Sequence, residues 1–245
     1  MRLPTLLITI VVVNLLAASL VITSNALAGD DVPEFEISAL EENVYLHKSY
    51  RQVDGFGLVS ANGLVVVHEQ MAYIVDTPWS EADTQQLVDW ISQQGVDLAG
   101  SISTHSHADR TAGIKWLNQR NIATYASAQT NHFLEQRGEE TANNTLDVPA
   151  ATVLDGLLET YYPGGGHTAD NVVVWLPKSK ILFGGCLIRS LEANTLGYTG
   201  EAALDQWANS VNRVKTRYQD AKLVVPGHGK AGDINLLKHT IQLAN

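Results

Sequence analysis

Short runs rich in apolar residues, separated by polar and turn-forming ones, follow one another through "FEIS", "NVYLHKSY", "GFGLVS", "GLVVVHE" and "AYIVDT". They predict a meander of short antiparallel strands. Ser60, Ala61, Asn62 and Gly63 have turn chemistry and predict a hairpin between the third and fourth of them. The spacing of apolar positions then becomes helical. In "EADTQQLVDWISQQG", Leu87, Val88 and Ile91 form one apolar helical face. Ser80 is placed to cap that helix, Asp83 to complete a capping box, and Gly95 to end it. "LAGSIST" predicts a short buried strand, and Asp109 to Gln119 predicts a helix with Ile114 and Leu117 facing inward.

The outline then recurs. "IATYAS" predicts a strand and "AQTNHFLEQRG" a helix. "GLLETYYP", "NVVVWLP" and "KILFGG" predict three more strands, the last two joined by a tight turn at Pro177-Lys178-Ser179-Lys180. "ALDQWANSVNRVKTRY" is amphipathic with helical spacing, "KLVVPG" predicts a strand and "INLLKHTIQLA" a closing helix. Strands followed by helices, twice over, imply an α/β fold of two β-sheets packed face to face with helices outside. The chain shows no internal repeat, no low-complexity run and no linker long enough to separate two domains.

The first 28 residues fall outside that pattern. Arg2 precedes the apolar run "LLITIVVVNLLAASLVI", and Ala26-Leu27-Ala28 forms a small-x-small cleavage signature before Gly29. We read residues 1–28 as an export signal and 29–245 as one domain, which implies a soluble, periplasmic protein without stable membrane association. Charge narrows the partners. The chain has 16 Lys and Arg, one of them Arg2, against 26 Asp and Glu, and its net charge is −10. Such a field repels phosphate backbones and argues against nucleic acid. Cys186 is the only cysteine. An exported chain with one thiol has no internal disulfide, so Cys186 is held as a ligand or buried as a small apolar residue.

The chemistry-bearing residues gather at the ends of predicted strands. "SIST" runs into His105 and His107, "ETYYPGGGH" ends in His167, "ILFGGC" in Cys186 and "LVVPGH" in His228. Strand ends on one sheet edge converge, so these loops can meet. His105, His107 and His167 would make a three-nitrogen site with an open position, the arrangement of catalytic zinc. Asp109, Cys186 and His228 would make a second site of oxygen, sulfur and nitrogen, a donor set that favours zinc over magnesium or calcium. A lone histidine at a strand end carries little weight, and His47, His68, His132 and His239 are read as ordinary core or surface residues. The six together, three of them beside a glycine, are a much stronger signal.

With "GFGLVSANGLVV", "AYIVDTPWS", "SISTHSHADRTAGIKWLN", "YYPGGGHTADNVVVWLPKSKILFGGCLIRS" and "KLVVPGHG", the chain resembles the metallo-β-lactamase superfamily, and within it subclass B1. The resemblance implies the four-layer αββα sandwich, two Zn2+ ions per chain, a monomer, and hydrolysis of β-lactam rings of penicillins, cephalosporins and carbapenems by a metal-bound hydroxide. It also gives Arg110 a meaning. In the wider superfamily a metal-binding histidine follows the aspartate, and a bridging Asp comes later. Here Arg110 and Cys186 stand in those places, so Asp109 and Cys186 take the second zinc. Arg110 is then expected beneath the site, offsetting their charge. Asp76 is a candidate for orienting a ligand or water, or a simple strand-end hydrogen-bonder.

The same resemblance assigns substrate contacts. Arg189 stands where B1 enzymes commonly carry a lysine for the substrate carboxylate, and Tyr198 where they commonly carry an asparagine near the oxyanion. The "YRQVDGFGLV" hairpin is expected to be a flap offering Val53 and Phe56 to substrate side chains. No Ser-x-x-Lys is present to support a covalent acyl-enzyme. Two rivals remain: a thioester or phosphodiester hydrolase of the same fold, and a non-catalytic zinc-binding protein. Arg110 and Cys186 argue against the first, and the open position on the three-histidine site against the second.

Overall fold

The structure, a computed structural model, describes residues 32–147, 149–153 and 156–245; the expected signal at 1–28 lies outside them. Residues Val32–Asn245 form one compact unit. Seven strands make the first sheet, in the order β1 (Glu36–Glu41), β2 (Val44–Val53), β3 (Gly57–His68), β4 (Met71–Val75), β5 (Asp97–Ile102), β6 (Ala123–Ser127) and β7 (Asn144–Leu146). Its first three pairings are antiparallel and its last three parallel. The second sheet runs β12 (Leu223–Pro226), β11 (Ile181–Gly185), β10 (Val173–Leu176), β9 (Leu158–Tyr161) and β8 (Ala150–Val153).

Successive side chains of a strand face opposite ways, and this explains the layers. In β3, Leu64 and Val66 point between the sheets and pack with Val75, Ile102, Val174, Phe183 and Val225. Val65, between them, points the other way, onto Leu87 and Ile91 of α1 (Glu81–Gln93). On the far face of the second sheet, Val173, Leu182 and Val224 meet Trp207 and Val211 of α5 (Leu204–Arg217) and Leu237 of α6 (Asn235–Leu243). Helix, sheet, sheet, helix is the expected αββα sandwich. No helix among the described residues is long and apolar enough to cross a membrane.

Three local expectations change. Ser60 to Gly63 make no turn, because β3 runs unbroken through them. Asn62 spends its side chain on the carbonyls of Pro226 and Gly229, at 2.9 and 2.8 Å. Gly63 sits so close to β4 that a Cβ there would lie 2.7 Å from the Asp76 carbonyl oxygen. The hairpin expected in "YRQVDGFGLV" does form, between β2 and β3, with its turn at Asp54–Phe56. The helix expected over 109–119 is two pieces, α2 (Ala108–Thr111) and α3 (Ile114–Asn118), with Ile114 and Leu117 buried as expected. At the break, Gly113 donates its N–H to Thr77 Oγ1 at 2.9 Å and lies tight against Thr84 of α1. Ser80 does cap α1, accepting from Asp83 N at 3.0 Å, but only this half of the capping box forms.

Candidate metal centre

One edge of the sandwich collects the ligand candidates. His105 and His107 follow β5, Asp109 lies in α2, His167 follows β9, Cys186 follows β11 and His228 follows β12. The ligand atoms of His105, His107 and His167 lie within 4.8 Å of one another, and so do those of His105, Asp109 and Cys186. His228 completes the second group, with Nε2 at 3.2 Å from Cys186 Sγ and 3.3 Å from Asp109 Oδ2.

Tautomers are partly set by the far side of each ring. His228 Nδ1 donates to the Ser60 carbonyl at 2.6 Å, which leaves Nε2 for a ligand. His107 Nδ1 faces His167 Nε2 at 3.1 Å, while its Nε2 meets Glu201 Oε2 at 2.6 Å. His105 Nε2 is buried and has no partner among the described residues. An orphaned imidazole nitrogen aimed at two other imidazoles is costly unless a cation sits between them. The donor set therefore fits zinc. Burial first, then mutual repulsion with His107 and His167, holds the His105 imidazole well below its usual pKa, so it remains a neutral donor.

Beneath the second group lies Arg110, fully buried. Its Nη2 is 2.7 Å from Asp109 Oδ2 and donates to Cys186 Sγ at 3.1 Å and to the Gly227 carbonyl at 2.9 Å. Nη1 reaches Asp76 Oδ2 at 3.2 Å and the Asn62 carbonyl. Burial by itself would lift the Asp109 carboxyl, but Arg110 and His228 pull it well below the usual carboxylate range. Gly227 is required by this close approach: a Cβ there would lie 2.7 Å from Cys186 Sγ and 2.8 Å from Arg110 Nη2.

Asp76 is also wholly buried and turned away from the cleft. It accepts from Thr104 N at 2.7 Å and Thr104 Oγ1 at 2.8 Å, tying the end of β4 to the residue before His105. Its φ of 61° is an uncommon conformation for a side-chain-bearing residue, held here by those bonds. Burial pushes its carboxyl up to about 7, against Arg110 and the Thr104 hydrogen bonds. Of the two roles open to Asp76, the geometry supports the strand-end hydrogen-bonder.

Above the ligands a cleft of about 580 Å³ is lined by His107, Asp109, His167 and His228 together with Val53, Phe56, Arg189 and Tyr198. The four residues expected to meet substrate thus share one cavity. Arg189 is half-buried, and its guanidinium has no hydrogen bond or ion pair among the described residues. Tyr198 sets its ring edge-on to His107 at 5.8 Å and to Phe56 of the flap at 6.5 Å. Trp79 and Glu201 line the cleft too, and the sequence pattern does not single them out. A signal for Trp79 exists, since it sits three residues beyond Asp76; Glu201 follows no recognisable pattern.

The profile of the metallo-beta-lactamase superfamily matches residues 56–228, which contain all six ligand candidates and end on the last of them, His228. The chain belongs to the metallo-beta-lactamase superfamily. Its relatives include the metallo-beta-lactamase type 2 of Pseudomonas aeruginosa, 43% identical over 217 residues that cover 89% of this chain and 87% of that protein. Another, from Bacteroides fragilis, is 34% identical over 86% of each chain. Among solved structures, DIM-1 metallo-beta-lactamase exposed to ceftazidime is 60% identical with a TM-score of 0.87, covering 88% of this chain and 98% of that one. TMB-1 is 59% identical with a TM-score of 0.85, covering 87% and 98%. Within the superfamily, the Arg110 and Cys186 pattern is that of subclass B1.

Proposed function

We propose that the protein is a periplasmic, monomeric zinc β-lactamase that opens the β-lactam ring of penicillins, cephalosporins and carbapenems. The observation that carries this reading is the convergence of six nitrogen, sulfur and oxygen donors at one edge of the sandwich, four of them lining one cleft, with Arg110 beneath the second group. His105, His107 and His167 would hold one Zn2+, and Asp109, Cys186 and His228 a second. Zinc, when bound, supplies a nucleophile at neutral pH and polarises the scissile carbonyl.

The chain's own residues do the rest. Asp109 reaches both the Arg110 guanidinium and the floor of the cleft, so it can orient a water there while Arg110 keeps it ionised. Arg189, the unpaired guanidinium of the cleft, takes the substrate carboxylate. Tyr198 borders His107, where its hydroxyl can donate to the developing oxyanion. Val53 and Phe56 cover the substrate's apolar substituent from the flap. Cleavage of residues 1–28 would release the domain to the periplasm.

The test is hydrolysis of a carbapenem by the purified mature protein, followed as loss of ring absorbance with and without a chelator. Turnover that stops with chelator and returns with zinc is expected. Zinc-loaded protein inert toward a carbapenem, a penicillin and a cephalosporin would overturn the reading.

A further inference from the structure

The three histidines of the first site are supported unequally. The nitrogen of His167 that faces away from the cluster, Nδ1, is buried without a partner among the described residues. His105 Nδ1 has only the Thr104 hydroxyl, at a long 3.5 Å. His107 alone has a carboxylate behind it, with Nε2 at 2.6 Å from Glu201 Oε2. We propose that Glu201 is a positioning residue of the three-histidine site, accepting from His107 Nε2–H so that Nδ1 stays the free, strengthened donor aimed at His105 and His167. The inference rests on the zinc reading above.

Glu201 is held where this requires. Its loop is anchored next to His167, since Ala203 N donates to the Gly166 carbonyl at 2.9 Å, and Ser210 Oγ of α5, the helix into which the loop runs, donates to the Gly165 carbonyl at 2.6 Å. The loop therefore carries the partner of one histidine while bonded to the residues that precede another. Charge gives a second argument. Asp109 and Cys186 bring negative charge to the second site, and Arg110 offsets it. The first site has three neutral ligands and no acidic residue among them, so the Glu201 carboxylate is the anion that answers a dication bound there. A carboxylate behind a metal-ligating imidazole fixes its tautomer and raises its basicity, and its loss typically weakens metal binding 10- to 100-fold. The Glu201 side chain is 47% exposed, so water competes for it and the effect falls near the lower end of that range.

The experiment compares wild type with Glu201→Gln and Glu201→Ala. Zinc affinities of both sites are read by competition with a chromogenic chelator, and the His107 tautomer in zinc-free protein by imidazole 15N shifts. Glu201→Ala is expected to weaken the first zinc about tenfold, leave the second unchanged, mix the His107 tautomers and leave the melting temperature of the zinc-free protein as it was. Glu201→Gln, which retains a neutral acceptor, is expected to lose less and to keep the Nε2–H tautomer. First-site affinity and tautomer unchanged in Glu201→Ala would overturn the proposal. So would equal weakening of both sites with a lower melting temperature, which marks a loop that has merely come loose. Wild type that binds no zinc at all would instead remove the reading on which the proposal stands.

Discussion

Arg110 donates to Cys186 Sγ from directly below, at 3.1 Å, with both side chains almost fully removed from water. The two side chains proposed to hold the second zinc, Cys186 and Asp109, share this floor with a guanidinium fixed against both. Removing it leaves buried charge without compensation. Arg110→Ala is expected to cost about 3–5 kcal/mol of stability. It should also lower the affinity for the second zinc and leave the first site bound. Chemical denaturation and zinc stoichiometry after dialysis check both halves.

Cys186→Ala deletes a proposed ligand without opening the core by more than a sulfur atom, since Cys186 sits among Arg110, Asp109 and His228. It is expected to retain one zinc, keep the circular dichroism of the native fold and lose most activity. Two zincs bound to Cys186→Ala as tightly as to wild type would show that Sγ is not a ligand.

Arg189 carries the prediction about substrate. Burial lowers its pKa, but a guanidinium stays charged at neutral pH, and this one has no hydrogen-bond or ion-pair partner among the described residues to compete with a ligand. Arg189→Ala is expected to raise KM about tenfold or more for substrates carrying the ring carboxylate, with a smaller change in kcat. Arg189→Lys should recover part of the loss. An unchanged KM would place the carboxylate elsewhere.

A pH effect follows from His47, which lies outside the ligand set. Its Nε2 donates to the Asp76 carbonyl at 2.9 Å, and burial, with a further push from Arg110, lowers its pKa to about 3. The folded state resists a proton that the unfolded chain accepts below about 6.5. His47 therefore supports the fold fully above that pH, and the support is lost as pH falls toward 3. By pH 5 the loss is about 2 kcal/mol. Thermal unfolding of metal-free His47→Gln between about pH 7.5 and 5 should show a shallower decline than wild type. Parallel curves would assign the acid sensitivity to other groups.

Most of the fold was legible in the chain because its strands are short apolar runs bounded by turn residues and its helices carry an apolar face. What escaped depends on partners distant in sequence. Asn62 reads as a turn residue until Pro226 and Gly229, from the far end of the chain, take its side chain. The break at Gly113 follows from contact with Thr77 and Thr84, not from local propensity. β7 is three residues long, too short to show a period. The candidate donors stood out because five of the six follow apolar strands that end at one edge, whereas Glu201 is an exposed residue in a loop, distinguished only by the ring it faces.

Strand β3 links two demands that otherwise conflict. It begins at the flap, then within a few residues is clamped: Ser60 receives His228, and Asn62 binds the Pro226 and Gly229 carbonyls on one side and Arg110 on the other. The flap is thus a cantilever fixed near its root. Were its free end, Val53 to Gly57, to bend over ligands of different bulk, these clamps would stop the displacement before it reached His228 and Arg110. That end can also vary in sequence on the same terms, so that the range of molecules admitted can drift while the chemistry beneath them stays constant.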